Sequence, residues 1–267
     1  MFNSKKIKYL EEQIIQLQNR IEEEFYYTSK SPNPLFGIRV KEVKNIFKLY
    51  ISNRDLKWFG NQGDGGYLLV NDLSKTDLII SGGIGFNDTF EKDIAQCVKS
   101  IVMFDHAIAN YSTPLDNCIY FPFKISDISN SNSVSIDQII NDFPADDYIL
   151  KLDIEGDEWN IIDVIEPSTL RTFRQIIIEF HNIDRKIQFD YAKLIRVFHK
   201  LNENHSPVSI HANNHGRYVY LGDDSFPQTL EVTYARKGSY ELTLANKLVF
   251  HPKQRKNAAE YEEFMLW

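Results

Sequence analysis

The stretch Asp77–Asp88, DLIISGGIGFND, decides how the rest of the chain is read. Its first half holds the short apolar run Leu78–Ile80, as in a strand covered on both faces. Its second half is a glycine turn, and a segment of helical period, Phe90–Lys99, follows. Open α/β sheets bind ligands beyond the carboxyl ends of their strands, where glycines let backbone approach the ligand. A helix starting near Thr89 aims its positive N-terminal end at the same place.

This turn is not a dinucleotide fingerprint. Gly83 and Gly85 supply G-x-G, but the third glycine is replaced by Asp88. An acid in the loop repels phosphate and suits a ligand carrying an amino group or a sulfonium. The next strand, Ile101–Phe104, ends at Asp105, twenty positions after Gly85 (105 − 85). A carboxylate there can accept hydrogen bonds from both hydroxyls of a ribose. Together these features point to S-adenosylmethionine rather than NAD.

Further apolar runs continue the series at Tyr67–Val70, Ile119–Phe121, Tyr148–Leu150, Ile176–Ile178 and Val208–Ile210. Helical periods at Ile136–Asp142 and Asp190–Asn202 separate several of them. Strands alternating with helices predict a parallel, doubly wound sheet. Tyr218–Leu221, Leu230–Arg236 and Glu241–Leu244 have no helices between them, which predicts an antiparallel edge.

Near the N-terminus Ile7, Leu10, Ile14, Leu17 and Ile21 follow a heptad spacing. The segment is either a short coiled coil that pairs two chains into a dimer or an amphipathic helix lying on its own domain. Ser31–Pro34 breaks it, so the expected division is 1–34 for this helix and linker and 35–267 for the main domain. The net charge of −7 disfavours nucleic acid as the main partner, because phosphate binding relies on excess Lys and Arg. Two cysteines without metal-like spacing, a charged N-terminus and no apolar run near ~20 residues fit a cytoplasmic protein without a membrane span.

A second stretch, LKLDIEGDEW (Leu150–Trp159), carries a strand end dense with acids. Asp153 falls at the strand end, Glu155 serves as a supporting polar group, and Gly156 permits the turn into a helix. Asp157 and Glu158 then lie in the first helical turn, where acids favour the dipole. With NQGDGGY (Asn61–Tyr67), SGGIGFNDTFE (Ser81–Glu91), IEFH (Ile178–His181), HANN (His211–Asn214) and LEVTYARK (Leu230–Lys237), this signature occurs in the order seen in FkbM-type methyltransferases. The chain resembles that family from about Trp58 to Lys237. The resemblance implies a class I methyltransferase fold, Rossmann-like with a seven-stranded, mostly parallel sheet. It also implies an S-adenosylmethionine donor and oxygen methylation of glycans or related metabolites, with a sugar or nucleotide-linked sugar as acceptor.

The expected donor site comprises Asp64, Gly65, Ser81, Gly82, Gly83, Gly85, Asp88, Asp105, Ser126 and Asp153. The reacting groups are expected to be Asp153, His181 and His211, at the ends of successive strands. Either a histidine acts as general base for a hydroxyl, or Asp153, Glu179, His181 and His211 hold a divalent ion that lowers the hydroxyl pKa. A mixed oxygen and imidazole set suits Mn or Fe, and Mg less well. For the turn Asn61–Tyr67 a plain hairpin and a flap over the donor's methionine end both stand. Arg185, Lys186, His215, Arg217 and Tyr218 are expected around the acceptor. Two rival readings are a GT-A-like glycosyltransferase using Asp153 and Glu155, and a non-catalytic coiled-coil partner protein.

Overall fold

A computed structural model describes residues 34–109, 111, 115–221 and 224–266. The heptad segment, and with it the expected dimer helix, lies outside the described residues. The order is α1 (Pro34–Ile46), β1 (Tyr50–Ser52), β2 (Leu56–Gly60), β3 (Gly66–Val70), β4 (Leu78–Gly82), α2 (Thr89–Ala95) and β5 (Ser100–Phe104). It continues with β6 (Cys118–Phe121), β7 (Lys124–Ile125), β8 (Ser133–Val134), α3 (Ile136–Asp142), β9 (Tyr148–Leu152), α4 (Glu158–Val164), α5 (Pro167–Thr172) and β10 (Phe173–Phe180). The last elements are α6 (Ile183–Phe189), α7 (Tyr191–Asn204), β11 (His205–Ala212), β12 (Tyr218–Leu221), β13 (Asp224–Pro227), β14 (Leu230–Arg236) and β15 (Leu242–Leu244).

Seven strands form the main sheet in the order β6-β5-β4-β9-β10-β14-β11. From β6 to β10 neighbours pair in parallel, while β14 runs antiparallel to both β10 and β11. Along each central strand the side chains alternate between two cores. Ile80, Val102, Leu150 and Ile178 enter one, shared with α1, α4 and α7. Ile79, Ile101, Ile149 and Ile177 enter the other, shared with α2 and β3. Burial on both faces is why these strands read as continuous apolar runs rather than alternating ones.

The expected antiparallel edge takes another form. β14 lies inside the sheet, its first six residues buried, and β11 is the edge strand. Leu230, Val232 and Tyr234 enter the first core from one face, while Ala235 packs near Val70 and Thr233 bonds Leu68 on the other, so an inner slot serves both faces and the ladder at once. Among the described residues β12 pairs only with β13, and β15 only with β1.

Two features bring groups to the carboxyl edge of the sheet. The β2–β3 hairpin lies over one face, where the Gln175 side chain bonds both the N–H and the C=O of Val70, and Thr233 donates to Leu68 O. The chain beyond β15 returns across the same edge. There Asn214 donates to Ala258 O and accepts from Ala258 N, each at 2.9 Å. Among the described residues no helix is long and apolar enough to cross a membrane.

Candidate active site

Asp105 organises the glycine turn. One of its carboxylate oxygens accepts from the N–H groups of Ile84 and Gly85, at 3.0 and 2.8 Å, and the other from that of Ala107 at 2.8 Å. Three of roughly four acceptor positions on the carboxylate are thus taken by backbone. Its work is first to shape the loop; the expected pair of ribose contacts exceeds what it has left. Gly83 has φ +76°, and a Cβ there would stand 1.6 Å from Asp153 O. Gly85 has φ +56° and open space beside its missing side chain, so it leaves room for a ligand.

That space belongs to a cavity of about 340 Å³ at the ends of β4, β5 and β9. Asp64, Gly65, Gly83, Gly85, Asp105 and Asp153, all expected donor residues, border it. The other four lie elsewhere. Ser81 is fully buried and donates to Glu91 at 2.5 Å, so Glu91 borders the cavity in its place. A Cβ at Gly82 would meet Ile125 at 2.8 Å, inside the packing. Asp88 pairs with Lys92 at 2.8 Å and accepts from Tyr111. Ser126 bonds Asp127 at 2.9 Å, beyond the wall. The turn Asn61–Tyr67 closes the β2–β3 hairpin, and Asp64 in it borders the cavity.

Asp153 joins this cavity to a second set of groups. One ligand atom each from Asp153, Glu179 and His181 lies within 4.8 Å of the others. His181 Nε2 is 3.9 Å from Asp153 Oδ1 and 3.7 Å from Glu179 Oε1. Two left-handed residues follow the cluster just beyond these strands, Glu155 (φ 59°) three residues after β9 and Asn182 (φ 56°) two residues after β10. Non-glycine residues in that region cost about 1 kcal/mol or more, and such strain collects at functional sites.

Glu158 does more than start α4. It is fully buried, accepts from the N–H of Gly156 and of His181 at 2.9 and 2.7 Å, and approaches His181 Nδ1 at 3.3 Å. Burial by itself would lower the His181 pKa. The hydrogen bond and charge of Glu158, with the charges of Glu179 and Asp153, outweigh it and raise the value to about 10. The imidazole is therefore a cation near neutrality and cannot accept a proton as it stands. A divalent ion would replace that proton, since metal ligands must be deprotonated. Glu179 is pushed well up, first by burial and then by the charges of Asp153 and Glu231, with the charge of His181 pulling the other way. Ligands at right angles on an ion with ~2.1 Å bonds stand about 3.0 Å apart, a modest contraction from the observed spacing.

His211 does not join this set. Across the sheet Glu179 pairs with Glu231 and Glu231 with His211, so the His211 backbone lies two strand spacings, about 10 Å, from that of Glu179. It is held between Glu231 at Nδ1 (2.9 Å) and Glu263 at Nε2 (2.8 Å). Burial lowers its pKa, and the hydrogen bonds of both acids overcome this and raise it to about 9. With both ring nitrogens engaged, His211 is a structural cation rather than a ligand or a base. Asn213 of the same HANN segment does reach the cluster, donating to Glu179 at 2.8 Å.

Several of these groups had a signal in the sequence that went unused. Lys151, inside the run Tyr148–Leu152, is 3% exposed, donates to Gly83 O and stands 3.5 Å from Asp153. Glu231, between Leu230 and Val232, is likewise buried. A charge inside an apolar strand is rarely buried without a partner.

The sheet order and the inserted antiparallel strand define the class I methyltransferase fold, with a cavity at the glycine turn. The chain belongs to the FkbM methyltransferase family: the model of the methyltransferase FkbM domain matches residues 57–205. No curated protein matches the chain. Among solved structures it is similar to an rRNA methylase from Streptococcus thermophilus, at 9% identity and TM-score 0.33, covering 61% of this chain and 89% of that one. A methyltransferase structure from Streptococcus mutans in complex with SAH shows 14% identity and TM-score 0.32, with 61% and 88% covered. An S-adenosylmethionine-dependent methyltransferase structure from Listeria monocytogenes shows 11% and 0.37, with 62% and 92% covered.

The cavity's residues fit the donor. An open space beside Gly85 admits a ligand against the backbone, and Asp64, Glu91 and Asp153 present carboxylates to a cationic one.

Proposed function

We propose that the protein methylates a hydroxyl of a sugar or nucleotide-linked sugar, with a divalent ion at Asp153, Glu179 and His181 assisting. The observation that carries this reading is the position of Asp153, shared by the donor cavity and the three-residue cluster. S-adenosylmethionine supplies an activated methyl group, so the residues have to orient the acceptor and remove its proton. Asp153, Glu179 and His181 would hold the ion, which would supply a lowered pKa for a bound hydroxyl so that its proton could pass to water. Glu158 keeps the His181 ring turned toward the other two ligands. The net charge of −7 favours a small acceptor over RNA. The sugar class follows from the family resemblance.

The test is mass spectrometry of the protein with S-adenosylmethionine, Mn²⁺ and either a panel of nucleotide sugars or an rRNA fragment. One added methyl on a sugar hydroxyl, lost with chelator and in His181→Ala, is expected. Methylation of the RNA alone would overturn the acceptor assignment, and full activity of His181→Ala under chelation would overturn the ion's role. Absence of any methyl transfer, with the donor bound, would favour the non-catalytic reading.

A further inference from the structure

The carboxylates of Asp153 and Glu179 each have two oxygens, and the structure separates them. The Tyr67 hydroxyl stands between the two acids, 2.7 Å from Asp153 Oδ2 and 3.5 Å from Glu179 Oε2. The other oxygens, Oδ1 and Oε1, are the ones that face His181 Nε2. The phenol therefore donates to Asp153 Oδ2 and lies near Glu179 Oε2, while Asn213 holds Glu179 Oε1 at 2.8 Å and Asp153 Oδ1 is left to the imidazole.

We infer that Tyr67 is a positioning residue, whose hydroxyl fixes the rotation of the Asp153 carboxylate so that, with Asn213 holding Glu179, Oδ1 and Oε1 converge with His181 Nε2 on one cation. The inference rests on the ion-assisted reading above. A free carboxylate rotates readily about its last torsion. Groups that hydrogen-bond a ligating carboxylate or imidazole set its orientation, and their loss typically costs 10–100-fold in metal affinity.

Tyr67 is built for this task. It is 2% exposed, and the ring of Phe90 meets it edge-on at 5.4 Å and 89°. Its strand is tied to the main sheet by Gln175 at Val70 and by Thr233 at Leu68.

The probe is Mn²⁺ alone, titrated into the full chain and followed by electron paramagnetic resonance, with Co²⁺ absorption as a second readout of ligand geometry. Tyr67→Phe removes only the oxygen and is expected to weaken Mn²⁺ 10–100-fold and alter the Co²⁺ spectrum. S-adenosylmethionine affinity and the melting temperature should change little. Incorporating p-aminophenylalanine at position 67 returns a donor at similar reach and is expected to recover most of the affinity; it also serves if Tyr67→Phe fails to fold. Wild-type binding matched by Tyr67→Phe, with an unchanged spectrum, overturns the role of Tyr67 and leaves the ion site standing. Failure of the wild type to bind Mn²⁺, or binding undiminished in Asp153→Asn, overturns the ion site and this role with it.

Discussion

If His211 is a buried cation clamped by two acids, it should make stability depend on pH in the alkaline range. Its unfolded value is near 6.5 and its folded value about 9. Because the folded value is the higher one, the stabilising contribution is complete below pH 6.5 and is lost as pH rises through 9. An interval of that width, at about 1.4 kcal/mol per tenfold, is worth roughly 3 kcal/mol. The side chain is only 1% exposed, so solvent does little to screen it. Urea unfolding at pH 6 and pH 9.5, in the wild type and in His211→Gln, isolates the effect from other titrating groups. The wild type should lose roughly 3 kcal/mol more than the variant between the two pH values. Equal losses would refute the clamped-cation description and reopen a role for His211 as a base.

His205 should act in the acid range with the opposite sign. Burial lowers its pKa from 6.5 to about 4, so stability should fall by up to about 3 kcal/mol between pH 6.5 and 4 and less in His205→Gln, again by urea unfolding. Gly83→Ala puts a Cβ against Asp153 O, and should cost at least 3 kcal/mol in thermal unfolding together with donor binding. Asp105→Asn replaces an acceptor of three backbone N–H groups by an amide, and should weaken S-adenosylmethionine by 1–3 kcal/mol, read by calorimetry. Glu158→Gln leaves the His181 imidazolium short of its nearest acid, so the His181 pKa, followed by NMR, should drop.

Pattern alone carried much of this protein. The apolar runs with a glycine turn after Ser81 located β4 and the donor cavity, because a strand buried on both faces must be apolar throughout and its ligand must sit at its end. Asp153, Glu179 and His181 were legible for the same reason: each ends, or directly follows, a parallel strand, and neighbouring parallel strands finish at one edge. What spacing could not supply was the order of the strands. β14 inserts between β10 and β11, and this sets Glu231 between Glu179 and His211 and takes the second histidine out of the cluster. Nor could it show which groups come from elements packed over that edge. Tyr67 arrives on a hairpin eighty-six positions before Asp153, and Glu263 on a tail fifty-two beyond His211. Sequence period reports which face of an element is buried, since burial repeats with the local geometry. Which oxygen of a carboxylate is held, and by what, depends on contacts between distant segments that carry no period at all.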